Sequence, residues 1–542
     1  MVAMARPAAF LPALPSARTI VLGCIALTVL LQIELAFHKS LNWDEFFHYS
    51  LISAAARGDS VTLLQAPFVV LFGWVPSLAA GSGLGQIDAV VLIRLLLLPF
   101  ELTAAYAIYR CARRLGPRDN AILAALAYLT AGFVFQHGFA LRADAIAAAL
   151  LSLALWIALS AEMRLLKVVV SLALIALATI STMKSVLWAP VFIAVLILRS
   201  DMTRRLQSPA VLFGIIAVAL ALAAALPFAL GGTHALAAAE RMFGGGLLPR
   251  GDYLAKQALI APFFTVMLIV GVVRSRKAGR PWWFTAGMLA PLGSTVFYFN
   301  AFPYFYVFAL PPAVLAMLPG IDWVRQRYGV VSVAVLLAAN ALALSVVEDR
   351  GVMDTQRRAL AGIEAVFPEP VSYIDDAGLL AAYPRAVPHY ASGWALEGYR
   401  DRGEASYAAA IGGGAPVPLL LRMGPALEKV APRPNDQEAL LGRDADTLRE
   451  TYIRYWGPLY IPGEIVAAGT FRNARIEVPG TYIVENAPLT IGDRTIPVGG
   501  TISLDRSEVR LGAPEGRAVL RWADAGPRPT AAWPEGPFYT NY

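Results

Sequence analysis

Eleven apolar stretches separated by short polar loops occupy the first 347 residues and commit the chain to a lipid bilayer. They lie near residues 19–37, 87–110, 119–136, 144–161, 167–182, 185–199, 208–230, 255–273, 281–299, 304–320 and 329–347, the fifth and sixth being short. A hydrocarbon core of about 30 Å is crossed by about 20 apolar residues in a helix. Lipid offers no partner to an unpaired backbone N–H or C=O, so runs of this kind are helical. Composition agrees, with 57% of residues hydrophobic and 15% charged, against roughly a quarter charged in soluble domains. The chain reads as a polytopic α-helical membrane protein of about eleven spans.

The loops carry the orientation. Arg110, Arg113, Arg114 and Arg118, then Arg164 and Lys167, then Arg199, Arg204 and Arg205, then Arg274, Arg276, Lys277 and Arg280, then Arg325 and Arg327 fall in alternate loops. Lys and Arg are retained on the cytoplasmic side. That rule puts these loops inside, together with the N-terminus bearing Arg6 and Arg18, and an odd span count puts the C-terminus outside. The formal charge of +7 thus encodes topology and gathers into no single surface for nucleic acid. Cys24 and Cys111 are the two cysteines, which excludes a disulfide framework or a Cys-based zinc site for an exported domain.

The first apolar stretch runs into Glu34-Leu35-Ala36-Phe37-His38-Lys39 without a small-x-small cleavage site, so it reads as a retained anchor. Residues 65–80 are apolar but broken by Pro67, Gly73 and Pro76. A span there would invert every later loop, which favours an interfacial or re-entrant segment. The expected location is a multi-pass inner or plasma membrane, with residues 1–347 as the transmembrane module and 348–542 as a periplasmic or extracellular soluble domain. That domain opens with α/β character, as in Pro370-Val-Ser-Tyr-Ile-Asp375 followed by Gly378-Leu-Leu-Ala-Ala-Tyr383. From Ile465 to Asp524 it reads as strands between turns, including 480–485, 490–495, 500–504 and 518–522, and so as a small β-sandwich.

Chemistry-bearing residues gather in the outer loops. The first begins Asn42-Trp43-Asp44-Glu45-Phe46-Phe47-His48-Tyr49. On a helix starting near residue 44, Asp44, Glu45 and His48 share a face, so a general base, a metal ligand set and a helix cap are all open readings. The plainest has Asp44 as the N-cap of an interfacial helix whose aromatics sit at the headgroups. A second outer loop, residues 136–144, brings Arg142 and Asp144 to the start of the fourth span. Arg94 and Glu101 lie seven apart on one face of the second span, where a structural ion pair or snorkelling is the plain reading. Lys184 occupies the tight turn Ser181-Thr-Met-Lys-Ser185, suited to a phosphate or simply to the surface. Residues 231–256 hold His234, Glu240, Arg241, three consecutive glycines, Arg250 and Asp252, a candidate substrate lid.

Asp44-Glu45 after the first span, Arg94 in the second, Arg142-x-Asp144 opening the fourth, Lys184 in a short turn and Pro303-Tyr304 before a late span form a pattern. It resembles the GT-C superfamily of glycosyltransferases, in the branch that includes protein O-mannosyltransferases and the aminoarabinose transferases of lipid A. The likeness covers roughly residues 19–320, with Ala143 standing where a proline is common. It implies inverting transfer of a sugar from a polyprenyl-phosphate carrier to a hydroxyl on a lipid, glycan or protein at the outer leaflet. Under it Asp44 is the base, and Lys184, Arg142 and Arg241 stabilise the lipid phosphate. Asp144 and Glu45 orient the sugar or hold the base, His48 is their partner or a metal ligand, and Arg94 and Tyr304 join the substrate-binding set. Some members of the superfamily use a divalent ion such as magnesium or manganese and others use none, so a metal stays open.

Two rival readings exist. A transporter or flippase of lipid-linked sugars would also need many spans, but such proteins show related halves with interrupted helices, and no repeat is evident here. A non-catalytic envelope-assembly protein would have no need of Asp44-Glu45.

Overall fold

The computed structural model describes residues 16–59, 67–160, 165–202, 246–387, 393–424, 426–430 and 439–540. The expected span at 208–230, and with it His234, Glu240 and Arg241, lies outside the described residues.

The helical module begins with α1 (Ala17–His38), α2 (Trp43–Ala56) and α3 (Val75–Ser82), followed by the long α4 (Gln86–Leu115) and α5 (Arg118–Leu129). It continues through α6 (Phe133–His137), α7 (Ala143–Ala158), α8 (Leu165–Ser181) and α9 (Ala189–Met202) to α10 (Gly251–Ile260), α11 (Pro262–Arg274) and α12 (Trp282–Gly293). It closes with α13 (Phe305–Tyr328) and α14 (Val330–Val347), and α15 (Gly351–Val366) leads into the C-terminal region.

Among the described residues, α1, α13 and the run Val330–Val366 are long and apolar enough to cross a bilayer, and the α10–α11 pair makes a fourth if it crosses as one. The expected count of about eleven is not confirmed by these helices. The stretch 255–273, read as one span, is bent by 102° where Pro262 can neither donate an N–H nor continue the preceding helix. The stretch 119–136 breaks at residues 130–132 into α5 and the single turn of α6, and 185–199 starts as a 3-10 turn over Met183–Trp188 before α9. Residues 67–82 form a 3-10 turn (Pro67–Phe72) and α3, both too short to span.

Helix α13 is the hub, buried from Phe305 to Ile321. Its Gly320 lies against α11 so closely that an added Cβ would sit 2.0 Å from the Met267 carbonyl oxygen. Close backbone approach of this kind replaces hydrophobic burial as the force holding helices together in lipid.

In the C-terminal region β1 (Tyr373–Ile374) pairs in parallel with β2 (Leu419–Leu421). The other strands are β3 (Tyr452–Trp456), β4 (Leu459–Val466), β5 (Phe471–Ile476), β6 (Gly480–Glu485), β7 (Leu489–Ile491), β8 (Arg494–Ile496), β9 (Thr501–Leu504), β10 (Ser507–Gly512) and β11 (Ala518–Trp522). One sheet runs β1-β2-β4-β11-β6-β9 with β3 beside β4, and a second runs β5-β10-β7-β8. An α/β opening thus merges into a two-sheet ending. Residues 490–495, expected as one strand, are instead a hairpin, β7 to β8, turning at Gly492-Asp493, a dipeptide suited to a tight turn.

Asp376 follows β1 and is 3% exposed. Its Oδ2 accepts from the backbone N–H of Ala426 and Leu427 at 3.2 and 3.4 Å, while Oδ1 is buried without a hydrogen-bond partner. Burial, reinforced by Asp375, pushes its carboxyl up to about 7. The folded state then holds a proton that the unfolded chain has released, so stability falls as pH rises from the ordinary carboxylate range to about 7. Asp376→Asn is expected to raise the thermal midpoint of the full chain in detergent at about pH 8 and to do much less at about pH 4. An equal change at both pH values would show that Asp376 is not protonated in the folded domain.

Candidate active site

The site forms around the first turn of α2. Asn42 caps that helix, its side chain accepting from Glu45 N–H while the Glu45 carboxylate accepts from Asn42 N–H at 3.1 Å. This reciprocal arrangement satisfies two N-terminal donors at once. The cap is therefore Asn42, and Asp44, one reading of which was the cap, is released to another task. Its Oδ2 lies 2.7 Å from Arg142 Nη1. Of the three residues expected on one face, Glu45 turns inward to Arg94, and His48 Nδ1 donates to the Asp44 carbonyl at 2.7 Å. Burial, with Arg142 adding to it, pushes the His48 imidazole down to about 4, so it is neutral at physiological pH.

Arg142 stands at the entry to α7 and organises the acids. Besides Asp44, its Nε reaches Asp144 Oδ2 at 3.4 Å, and its guanidinium lies over the Tyr304 ring, 3.3 Å from the centroid. Asp144 Oδ1 meets Lys184 Nζ, brought in by the 3-10 turn between α8 and α9. Lys184 is 6% exposed, and burial pushes its ammonium below the ordinary value, with Asp144 opposing the shift. Its Nζ is also 5.7 Å from the Tyr304 centroid. Four chain segments, distant in sequence, thus meet in one charged cluster. Asp44 is its most exposed acid, with side-chain exposure of 20% against 3% for Asp144.

Behind the cluster lies an enclosed pair. Arg94, 1% exposed, donates from Nε to Glu45 Oε1 at 2.8 Å and from Nη2 to Oε2 at 2.5 Å, and it also donates to the carbonyls of Ala36, Lys39 and Ser40. Glu45, 0% exposed, further accepts from Leu141 N–H at 3.1 Å. Burial opposes the Glu45 charge, but Arg94 and the N–H groups of Leu141 and Asn42 outweigh it and hold the carboxyl below its ordinary value. With its lone pairs engaged, Glu45 is a fixed anchor tying α1, α2, α4 and the 138–142 loop together. Beyond Glu45 and the three carbonyls, the Arg94 guanidinium lies 5.8 Å from the Phe139 ring centroid. Arg94 and Glu101 do not pair, since Glu101 meets Gln32 of α1 instead.

The C-terminal region reaches α2 as well. Gln356 of α15 brackets Leu41 with two backbone hydrogen bonds and donates to the Phe538 carbonyl. Phe538 and Tyr539 pack against Phe46, with ring centroids 5.8 and 5.9 Å away. No spacing in the sequence announces that the last residues return to the first loop.

In this arrangement each acid of the site is engaged by Arg or Lys. Among the described residues no group of three or more His, Cys, Asp or Glu side chains is gathered to hold one.

Residues 73–228 match the family model of dolichyl-phosphate-mannose-protein mannosyltransferase. That range includes Arg94, Arg142, Asp144 and Lys184 and begins after Asp44. The structure is similar to that of ArnT from Cupriavidus metallidurans bound to undecaprenyl phosphate, with a TM-score of 0.53 at 15% identity over 75% of this chain and 94% of that one. The apo state of the same protein gives a TM-score of 0.51 at 15% identity, with the same coverage. No curated protein sequence matches significantly. At this identity the likeness shows a shared fold, and the family model is matched over residues 73–228 alone.

Proposed function

We propose that the chain moves a sugar from a polyprenyl-phosphate carrier to a hydroxyl acceptor at the outer face of the membrane, inverting the anomeric carbon. The observation that carries this is the convergence of Asp44, Arg142, Asp144 and Lys184 around Tyr304. It unites one partly exposed carboxylate with two cations in a largely water-excluded cluster. The fold shared with a protein that was solved with undecaprenyl phosphate supports the lipid donor. N-terminus inside and residues 348–542 outside is the orientation this function needs.

In this reading Asp44 takes the proton of the acceptor hydroxyl as its oxygen bonds to the anomeric carbon. The bond from that carbon to the phosphate oxygen breaks, and the growing charge on the lipid phosphate is met by Arg142 and Lys184. Arg142 holds Asp44 in the absence of donor. An arriving phosphate competes for the guanidinium and frees the carboxylate, so donor binding unlocks the base. Arg241, outside the described residues, stays a candidate for the same phosphate.

The test is mass spectrometry of surface glycans, lipids and glycoproteins from cells with the wild-type protein, no protein, or Asp44→Asn. Loss of one sugar-sized increment in both mutants identifies the acceptor class, and a wild-type profile in the variant rejects the reading. Lys184→Gln adds a finer expectation. Donor KM should rise or donor-saturated kcat fall by about 10²-fold, with acceptor KM little changed. Equal losses toward both substrates would make Lys184 a structural partner of Asp144 alone.

A further inference from the structure

Glu101 lies in α4, 0% exposed and seven residues from Arg94. Among the described residues no ion pair reaches it. Gln32 Nε2 of α1 donates to its Oε1 at 2.6 Å. The other halves of both groups, Glu101 Oε2 and Gln32 Oε1, are buried and without hydrogen-bond partners. Two oxygens cannot satisfy each other, and leaving both unpaired in a membrane interior is costly. One proton resolves both at once. A carboxylic acid on Oε2 becomes a donor, and the amide that already holds Oε1 presents the matching acceptor, closing a planar acid–amide pair.

The carboxyl also supports a backbone. A Cβ built on Gly138 would fall 2.1 Å from Glu101 Cδ, and 2.2 and 2.4 Å from its two oxygens. Gly138 opens the loop whose Leu141 N–H reaches Glu45 and whose Arg142 holds Asp44. We propose that Glu101 is kept as a neutral acid by Gln32, and that this pair is the floor positioning the Gly138–Asp144 loop and so Arg142. Glu101 touches no candidate substrate position and is a positioning residue. The activity readouts below rest on the transferase reading, and the spectroscopic one does not.

The experiment uses the full chain in detergent or nanodiscs. At alkaline pH exposed acids are ionised, so the infrared spectrum of wild type minus Glu101→Gln isolates a buried protonated-carboxyl stretch, which is expected to be present. Glu101→Ala should lower kcat per folded molecule on the order of 10²-fold, as displaced catalytic groups do, with a smaller change in donor KM. Glu101→Gln, which keeps both hydrogen bonds of the pair as an amide, should rescue most of that loss. Gly138→Ala drives a methyl into the carboxyl and should also lower kcat, and adding Glu101→Ala should relieve the damage rather than compound it. Absence of the infrared band, or Glu101→Gln as impaired as Glu101→Ala, overturns the neutral acid. Additive losses for Gly138→Ala and Glu101→Ala overturn the floor. If the wild type transfers no sugar, the transferase reading fails, while the infrared band and the coupling of the two variants in thermal midpoint still decide this one.

Discussion

Asp44→Asn is expected to reduce transfer by about 10²–10⁴-fold, the range removed with a positioned general base, while leaving a folded, membrane-inserted protein. The expectation that the fold survives has its own basis. The capping work at α2 is done by Asn42 and Glu45, and the buried ion pair is Glu45 with Arg94, so Asp44 contributes little to either. Its ion pair with Arg142 is partly exposed, so losing that charge costs less than breaking the fully buried Glu45–Arg94 pair. Asparagine keeps the shape and can still pack beside Arg142, but it cannot take a proton from an alcohol. The measurement pairs a transfer assay with the thermal midpoint in detergent. A large loss of both would show that Asp44 is structural, and retained activity would move the base to another group. Asp144, with both oxygens engaged and 2% exposure, is the less accessible alternative.

The membrane class was legible because apolar length and basic loops are one-dimensional signals, read without knowing any contact. The candidate site was legible for a related reason. Asp44, Arg142, Asp144 and Lys184 stand at helix starts or in a tight turn next to apolar runs, where charge is conspicuous. What could not be read was direction. Asp44 and Glu45 are neighbours in sequence, yet one faces the charged cluster and the other is sealed against Arg94. That division depends on Asn42 closing the capping box with Glu45, a three-residue spacing visible only once the helix start is known. Arg94 and Glu101 share a helix face, which suggested a common role, but their partners come from α2 and α1, across the bundle. Breaks at 130–132 and before Pro262 escaped for a different cause. Hydropathy averages over a window and does not register a bend within it.

The Arg94–Glu45 pair should carry the largest stability effect in the helical module. Removing one partner of a buried pair costs about 3–5 kcal/mol, because the other is left charged without compensation. Arg94→Leu does more than that, since three carbonyls, of Ala36, Lys39 and Ser40, lose their donor together. Those carbonyls form the exit of α1 into the Asp44 helix, so loss of Arg94 should unfasten the site along with the fold. Arg94→Lys is not expected to restore it, because an ammonium lacks the planar fork that meets both Glu45 oxygens and the carbonyls at once. The Glu45→Gln/Arg94→Gln double variant removes both charges and should be less damaged than Arg94→Leu, in both folded yield and thermal midpoint. If Arg94→Leu instead accumulates with a wild-type midpoint and loses only transfer, Arg94 acts on substrate after all. The anchor role assigned here to Glu45 would then fail with it.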